Sequence, residues 1–229
     1  MARYALYFTP APGSPLERFG ASVLGYDAYT GATLDAPPLA GIDIEAWRRG
    51  TEEPRRYGFH ATLKAPFRLR DGATPDQLRD EARRFGRGRE PLAVGRLALT
   101  KLGSFLALVP EAAPESLGLL AAETVAAFEP YRADLTPSER ARRLAKPLPP
   151  RQTALLDRWG YPHVFEAFRF HMTLTGPLAP DEQARWADAL RALAPLDEPL
   201  VIDALTLLVQ DAPERSFRVL DRFPFEVAL

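Results

Sequence analysis

The 229-residue chain contains no cysteine. That absence excludes disulfides, thiolate metal sites and cysteine nucleophiles, and it fits a reducing compartment, so the cytosol is the expected location. No stretch approaches the roughly 20 apolar residues needed to span a bilayer, and no membrane partner is expected. The opening segment, Met1 to Pro10, has too short an apolar run for a signal peptide and reads as a β-strand ending at the proline. Charge of either sign is also missing in excess. With 29 basic and 30 acidic residues, the net charge of −1 supplies no global field to draw in long nucleic acid, which favours a small substrate. Histidine is scarce, at three residues.

What is present stands out against that scarcity. The phrase Phe59-His60-Ala61-Thr62-Leu63-Lys64-Ala65-Pro66 returns as Phe170-His171-Met172-Thr173-Leu174-Thr175-Gly176-Pro177, with five of eight positions identical. Two of the three histidines occupy the same place in the two copies. An isolated His-x-Thr is a common accident on a strand, and a β-branched threonine or a strand-ending proline needs no special explanation. The repetition is what those readings leave over.

Side chains alternate faces along a strand. In the first copy Phe59, Ala61 and Leu63 then share an apolar face, and His60, Thr62 and Lys64 share a polar one. In the second, Phe168, Phe170, Met172 and Leu174 oppose Arg169, His171, Thr173 and Thr175. Each polar face offers an imidazole, a hydroxyl and a cation (Lys64 or Arg169), with successive groups roughly 7 Å apart. That set suits a phosphate oxyanion. Two such strands side by side would put a histidine on either side of a scissile P–O bond, one neutral and acting as base on water, the other protonated and acting as acid on the leaving alkoxide. The scheme needs no metal and no cofactor. Nor do two histidines without clustered acidic or cysteine ligands make a usual three-ligand zinc site; Glu166 precedes His171 by five residues and has the opposite strand parity.

Paired His-x-Thr motifs on two related halves resemble the 2H phosphoesterase superfamily, which includes bacterial RNA 2′,3′-cyclic phosphodiesterases and 2′-5′ RNA ligases. The wider wording of both motifs (residues 56–64 and 169–176), with Ser138 to Lys146 and Arg158 to Pro162, resembles a branch associated with bacterial phosphonate-utilisation operons, and the likeness covers nearly the whole chain. The resemblance implies that His60 and His171 are the acid/base pair and that Thr62 and Thr173 bind phosphate. It also favours Tyr7 over Tyr4 as the tyrosine of the first strand that faces the site. The implied substrate is a small phosphorylated molecule, a cyclic phosphate or diester formed in phosphonate breakdown.

The order of predicted elements repeats as well. After His60 come a helix over 75–85, a strand over 92–101, a turn at 102–103 and a strand over 104–109. After His171 come a helix over 180–193, a strand over 200–210, a turn over 211–213 and a strand over 216–220. His60 to Thr100 spans 40 residues and His171 to Gln210 spans 39. The expected fold is α+β: a single bilobal domain over 1–229, with a first repeat lobe at 55–130, a second at 165–229 and a helical connection at 131–164. Each lobe is expected to be a small antiparallel sheet with helices on one face, about a central cleft.

Within the connection, Thr136, Pro137 and Glu139 form a capping-box pattern that opens a helix to about residue 145. Arg140, Arg143 and Lys146 recur at spacings of three on it and could hold a terminal phosphate, or form a solvated face. Arg56, just ahead of the first motif, could reach the cleft mouth. His163 reads as a surface or packing residue. Beside the phosphodiesterase, two functions remain open at this stage: an RNA-end enzyme, which would need a basic groove with stacking aromatics, and a non-catalytic phosphate or phosphonate sensor.

Overall fold

The computed structural model describes residues 1–227, so the last two positions of the expected 165–229 lobe lie outside the described residues. In chain order the elements are β1 (Arg3–Phe8), α1 (Pro15–Leu24), α2 (Ile44–Arg55), β2 (Ala61–Phe67), α3 (Pro75–Gly86), β3 (Leu92–Gly95), β4 (Leu97–Leu102) and β5 (Phe105–Pro110). There follow α4 (Glu115–Ala127), α5 (Pro137–Arg143), α6 (Pro150–Trp159), β6 (Met172–Thr173), α7 (Pro180–Arg191), β7 (Leu200–Ile202), β8 (Ala204–Gln210) and β9 (Arg218–Pro224). The fold is α+β, and every strand pairing within its two sheets is antiparallel. Among the described residues no helix is long and apolar enough to cross a membrane.

The expected pair of small sheets is instead one seven-stranded sheet, in the order β4-β5-β6-β2-β1-β8-β9. The physical reason is that the two motif strands are themselves neighbours, with Ala61 opposite Met172, so pairing runs unbroken across the middle of the molecule. The hairpin β4-β5 follows the first motif in sequence but lies beside the second motif's strand. The hairpin β8-β9 follows the second motif and joins the first motif's side through β1. The long strands expected over 92–101 and 200–210 each break once, at Arg96 and at Asp203, and the detached pieces β3 and β7 pair with each other as a separate ribbon.

One face of the large sheet carries the main core. Leu6, Phe8, Leu63, Leu108, Met172, Leu205 and Leu207 pack there against Leu78 and Phe85 of α3, Leu117 and Leu120 of α4, and Trp186 and Leu190 of α7. Local chemistry fixes the helix starts. Ser14 and Asp43 accept the Glu17 and Ala46 amides, and Thr74 with Gln77 forms a capping box, as Thr136 with Glu139 does for α5. The opposite face, which carries Ala5, Tyr7, Leu208 and Phe217, is partly covered by Arg143 of α5, Arg151 and Gln152 of α6 and the segment leading to His171, which border the same pockets as the motif residues. The space left between that cover and the sheet is the cleft.

Candidate active site

His60 immediately precedes β2 and His171 immediately precedes β6. Their strands pair at Ala61 and Met172. One antiparallel step to either side sets His60 opposite Thr173 and Thr62 opposite His171, at the separation of directly facing side chains, about 5 Å between Cβ atoms. All four residues are half-buried and line one cleft of about 600 Å³. Thr62 and His171 also border a second, adjoining chamber of about 850 Å³, walled by Phe105, Tyr161 and Phe168.

Both imidazoles are fixed in the same way. His60 Nδ1 lies 2.9 Å from the Gly58 carbonyl oxygen, and His171 Nδ1 lies 2.9 Å from that of Arg169. A carbonyl oxygen only accepts, so each Nδ1 carries the proton and donates it. Nε2 is therefore the working nitrogen of both rings. The Thr62 hydroxyl stands 3.2 Å from His60 Nε2. Gly58 makes the first of these bonds possible: its φ of 72° is left-handed backbone that glycine adopts without strain. Phe59 anchors the same turn from below, and a Cβ on Gly20 would stand 2.0 Å from its ring, so α1 must present a glycine there.

The two histidines differ in what surrounds them. Tyr7 stacks on His60 with ring centroids 3.8 Å apart and planes 20° apart, and Tyr57 lies 6.2 Å away on another side. His171 has Phe105 at 6.0 Å. Burial disfavours the imidazolium of His60 and lowers its pKa to about 4; the Gly58 carbonyl acts the other way, and the His171 charge adds to the lowering. Burial likewise holds the Tyr7 phenol well above its ordinary value, so it is neutral.

The remaining expected site residues divide. Tyr7, Arg143 and Lys146 line the cleft with the histidines. Arg169 is exposed and borders the adjoining chamber beside His171. Arg56 is exposed and donates to the Pro213 carbonyl at 2.6 Å, outside the cleft. Arg140 lies on the surface with both its Nε and Nη2 on Asp157, at 2.6 and 3.0 Å. Lys64 is 3% exposed and turned to the core side, where its Nζ donates to the Val125 carbonyl at 3.0 Å and to Glu129 at 2.8 Å. The shared parity of His60, Thr62 and Lys64 fails because β2 is irregular. Tyr7 faces Thr62, yet Leu6, one residue back, faces Lys64, two residues on. The extra residue is a β-bulge, and a bulge reverses which face the following side chain takes. Arg3 was not singled out from the sequence, although it lines the cleft; parity with Tyr7 on β1 was the available signal. Among the described residues no three His, Cys, Asp or Glu side chains converge as a metal site would require.

A sequence family described as "Protein of unknown function (DUF1045)" matches residues 62–218, most of the chain. The chain belongs to the DUF1045 family. Two curated relatives of this DUF1045 protein are both named "Ribose 1,5-bisphosphate phosphokinase PhnN". One, from Janthinobacterium sp. (strain Marseille), is 39% identical over 98% of the chain and 51% of its own length. The other, from Laribacter hongkongensis (strain HLHK9), is 32% identical over 95% of the chain and 50% of its own length. The DUF1045 chain thus spans about half the length of the curated relatives it matches. A conserved protein of unknown function, ATU0111 from Agrobacterium tumefaciens str. C58, aligns over 98% of the chain and 86% of its own, with a TM-score of 0.44 and 14% identity.

Proposed function

We propose that the chain is a metal-independent phosphodiesterase that hydrolyses a cyclic phosphate or a small phosphodiester. The observation that carries this reading is the register of β2 against β6, which makes one group of His60, Thr62, His171 and Thr173. A phosphodiester seated among them has an imidazole on each side of the P–O bond and, once the Thr62 hydroxyl turns from His60 Nε2 to the substrate, a hydroxyl donor for each non-bridging oxygen. His60, neutral at pH 7, takes a proton from water at Nε2 as the water oxygen bonds to phosphorus. The bond from phosphorus to the leaving oxygen breaks, and protonated His171 gives its Nε2 proton to that alkoxide. The products are a phosphomonoester and an alcohol, both on one molecule when the substrate is a cyclic phosphate, and exchange with solvent resets both rings. Each role is typically worth about 10² to 10⁴ in rate. In this reading the two repeated segments each supply one His-x-Thr to a site at the middle of the shared sheet.

The phosphonate setting implied by the family resemblance agrees with relatives that carry the PhnN name. Their phosphokinase name describes proteins about twice as long as the matched region. The Gly-x-x-x-x-Gly-Lys-Ser/Thr run that cradles nucleotide phosphates is not in this sequence, which favours placing kinase chemistry in the half of those relatives outside the match. A second reading, an RNA-end 2′,3′-cyclic phosphodiesterase, is favoured by the aromatic wall of the adjoining chamber, where Tyr161 and Phe168 could stack a base.

The test is hydrolysis of 2′,3′-cyclic nucleotides, ribose cyclic phosphates and acyclic diesters by wild type, His60→Ala and His171→Ala, all in chelator. Loss of about 10²-fold or more in both variants, with full wild-type activity in chelator, is the expected result. Activity that survives both substitutions would sink the mechanism. Exclusive turnover of nucleotides would move the RNA-end reading ahead, and tight binding without turnover would favour a sensor.

A further inference from the structure

Of the cations that border the cleft, three stand apart from the rest of the molecule's charge pairing. Most of the partly buried basic groups here hold a carboxylate: Arg68 has Glu139, Lys64 and Arg132 share Glu129, and Arg222 has Asp203. Arg3, Arg143 and Lys146 make no ion pair among the described residues, yet all three line the same cleft as the histidines. Arg3 uses Nε and Nη2 on the Gln210 side-chain oxygen and leaves Nη1 uncommitted among the described residues. The Arg143 side chain makes no hydrogen bond among the described residues, and its guanidinium lies 5.6 Å from the Tyr161 ring centroid. Arg3 and Arg143 also line one smaller pocket together, and burial, with the charges of Arg142 and Arg3 adding to it, lowers the Arg143 pKa. The carboxylate that shares the cleft, Glu53, lies at the other border, near Gly176.

Glu139, the carboxylate nearest the two half-buried guanidiniums, is already paired with Arg68, so their mutual repulsion and lost hydration are costs that a bound anion removes. Planar N–H donors from two directions and a lysine ammonium match the three terminal oxygens of a phosphomonoester. The position of this cluster relative to the reacting centre follows from β1. Arg3 and Tyr7 lie four residues apart on one strand face, about 13 Å, and Tyr7 is the residue stacked on His60. Phe217 fills the interval, with Arg3 5.6 Å from its ring centroid on one side and Tyr7 6.3 Å from it on the other. The reach of the arginine side chain shortens the span to one that a small sugar phosphorylated at both ends can bridge.

We propose that Arg3, Arg143 and Lys146 form a second anion subsite, so that the substrate carries a terminal phosphomonoester in addition to the diester cleaved between the histidines. The proposal rests on the phosphodiesterase reading for the identity of the reacting group, but the subsite itself can be measured without turnover. Binding costs no covalent step: the monoester is held, and only the diester's P–O bond is exchanged for one to water. The two curated relatives bear the name of a sugar with two phosphates, which is the type of molecule such a cleft would release.

The experiment compares ribose 2,3-cyclic phosphate with its 5-phosphorylated form as substrates for wild type, Arg143→Gln and Lys146→Gln, alongside calorimetric binding of ribose 5-phosphate to each. Lys146 is exposed, so its variant folds irrespective of the outcome for Arg143. Wild type is expected to prefer the 5-phosphorylated substrate by about 100-fold in kcat/KM. Each variant should lower the preference for that substrate, read as the ratio of kcat/KM for the two compounds, by about 10-fold. Equal losses on both substrates, or no wild-type preference, would overturn the subsite. Should neither compound be hydrolysed, the phosphodiesterase reading fails, and the titration still decides the subsite: weaker ribose 5-phosphate binding in both variants supports it, and unchanged binding refutes it.

Discussion

At the scale of single residues, the two histidines share chemistry and differ in setting. Their Nδ1 bonds to the carbonyl two residues back are the same length, so the same tautomer is imposed twice. The stacked Tyr7 ring belongs to His60 alone, and burial beneath it holds His60 neutral down to a pH of about 4. A general base must be unprotonated, so the acid limb of the kcat/KM profile is expected to rise through pH 4 rather than near the ordinary histidine value of about 6.5. Tyr7→Leu, which removes the ring from His60, should move that limb upward. NMR titration of the three histidine rings gives the same quantity without substrate, and a His60 midpoint near 6.5 would contradict it. The sign for stability is also fixed. Because the folded pKa is depressed, the unfolded chain takes up the proton first, and stability falls as pH drops from about 6.5 toward 4. His60→Gln should remove that part of the acid loss in denaturant melts.

At the scale of elements, β2 is tied to the C-terminal turn of α4 by Lys64, whose ammonium meets both the Val125 carbonyl and Glu129. Glu129 also holds Arg132, so one carboxylate serves two cations, and hydrogen bonds from Arg132 and Lys64 keep its pKa below the ordinary value despite burial. The two sides of this group are therefore not equivalent. Lys64→Met leaves Glu129 paired with Arg132 and should cost about 1–2 kcal/mol, whereas Glu129→Leu strands two cations in a dry site and should cost about 3–5 kcal/mol by denaturant titration. Equal penalties would mean that the carboxylate is not shared. The same strand shows how far the sequence could be read. His60, Thr62, His171 and Thr173 were legible because repetition marks them, and the helix at 137–143 because its capping box is a local signal. The fate of Lys64 was not, since a bulge is set by the register with β1, and that partner is far away in sequence. The breaks at Arg96 and Asp203 were missed although Gly95, with a φ of 90°, and Asp203 stand at them, because one strand-disfavouring residue marks a bulge as readily as a change of partner. The helices α1 and α2 were not assigned, although Ser14 and Asp43 cap them in the usual way.

At the scale of the whole molecule, neither half of the chain owns its sheet. Each post-motif hairpin lies on the side of the other half's motif strand, and β1 sits between β2 and β8. The two expected sheets are thus merged into one, and a spacing of repeated elements, however regular, carries no information on which strands become neighbours. The merged sheet predicts a single cooperative unfolding event. Tryptophan fluorescence, near-UV and far-UV circular dichroism should trace coincident denaturant transitions, whereas two separated midpoints would show independently stable halves.

The placement of β1 also bears on how the protein comes into being. β1 leaves the ribosome long before the partner that closes it, because Tyr4 pairs with Val209, about two hundred residues further along the chain. At about 5–20 residues per second, the first strand waits on the order of ten seconds or more with one edge unpaired. Helices can form in the meantime, because their contacts are local, while pairing across two hundred residues carries the largest loop-closure entropy and is slow. The strand that carries Arg3 and Tyr7 is therefore among the last to be locked in place, and during translation its open edge is the one that chaperones have most reason to shield.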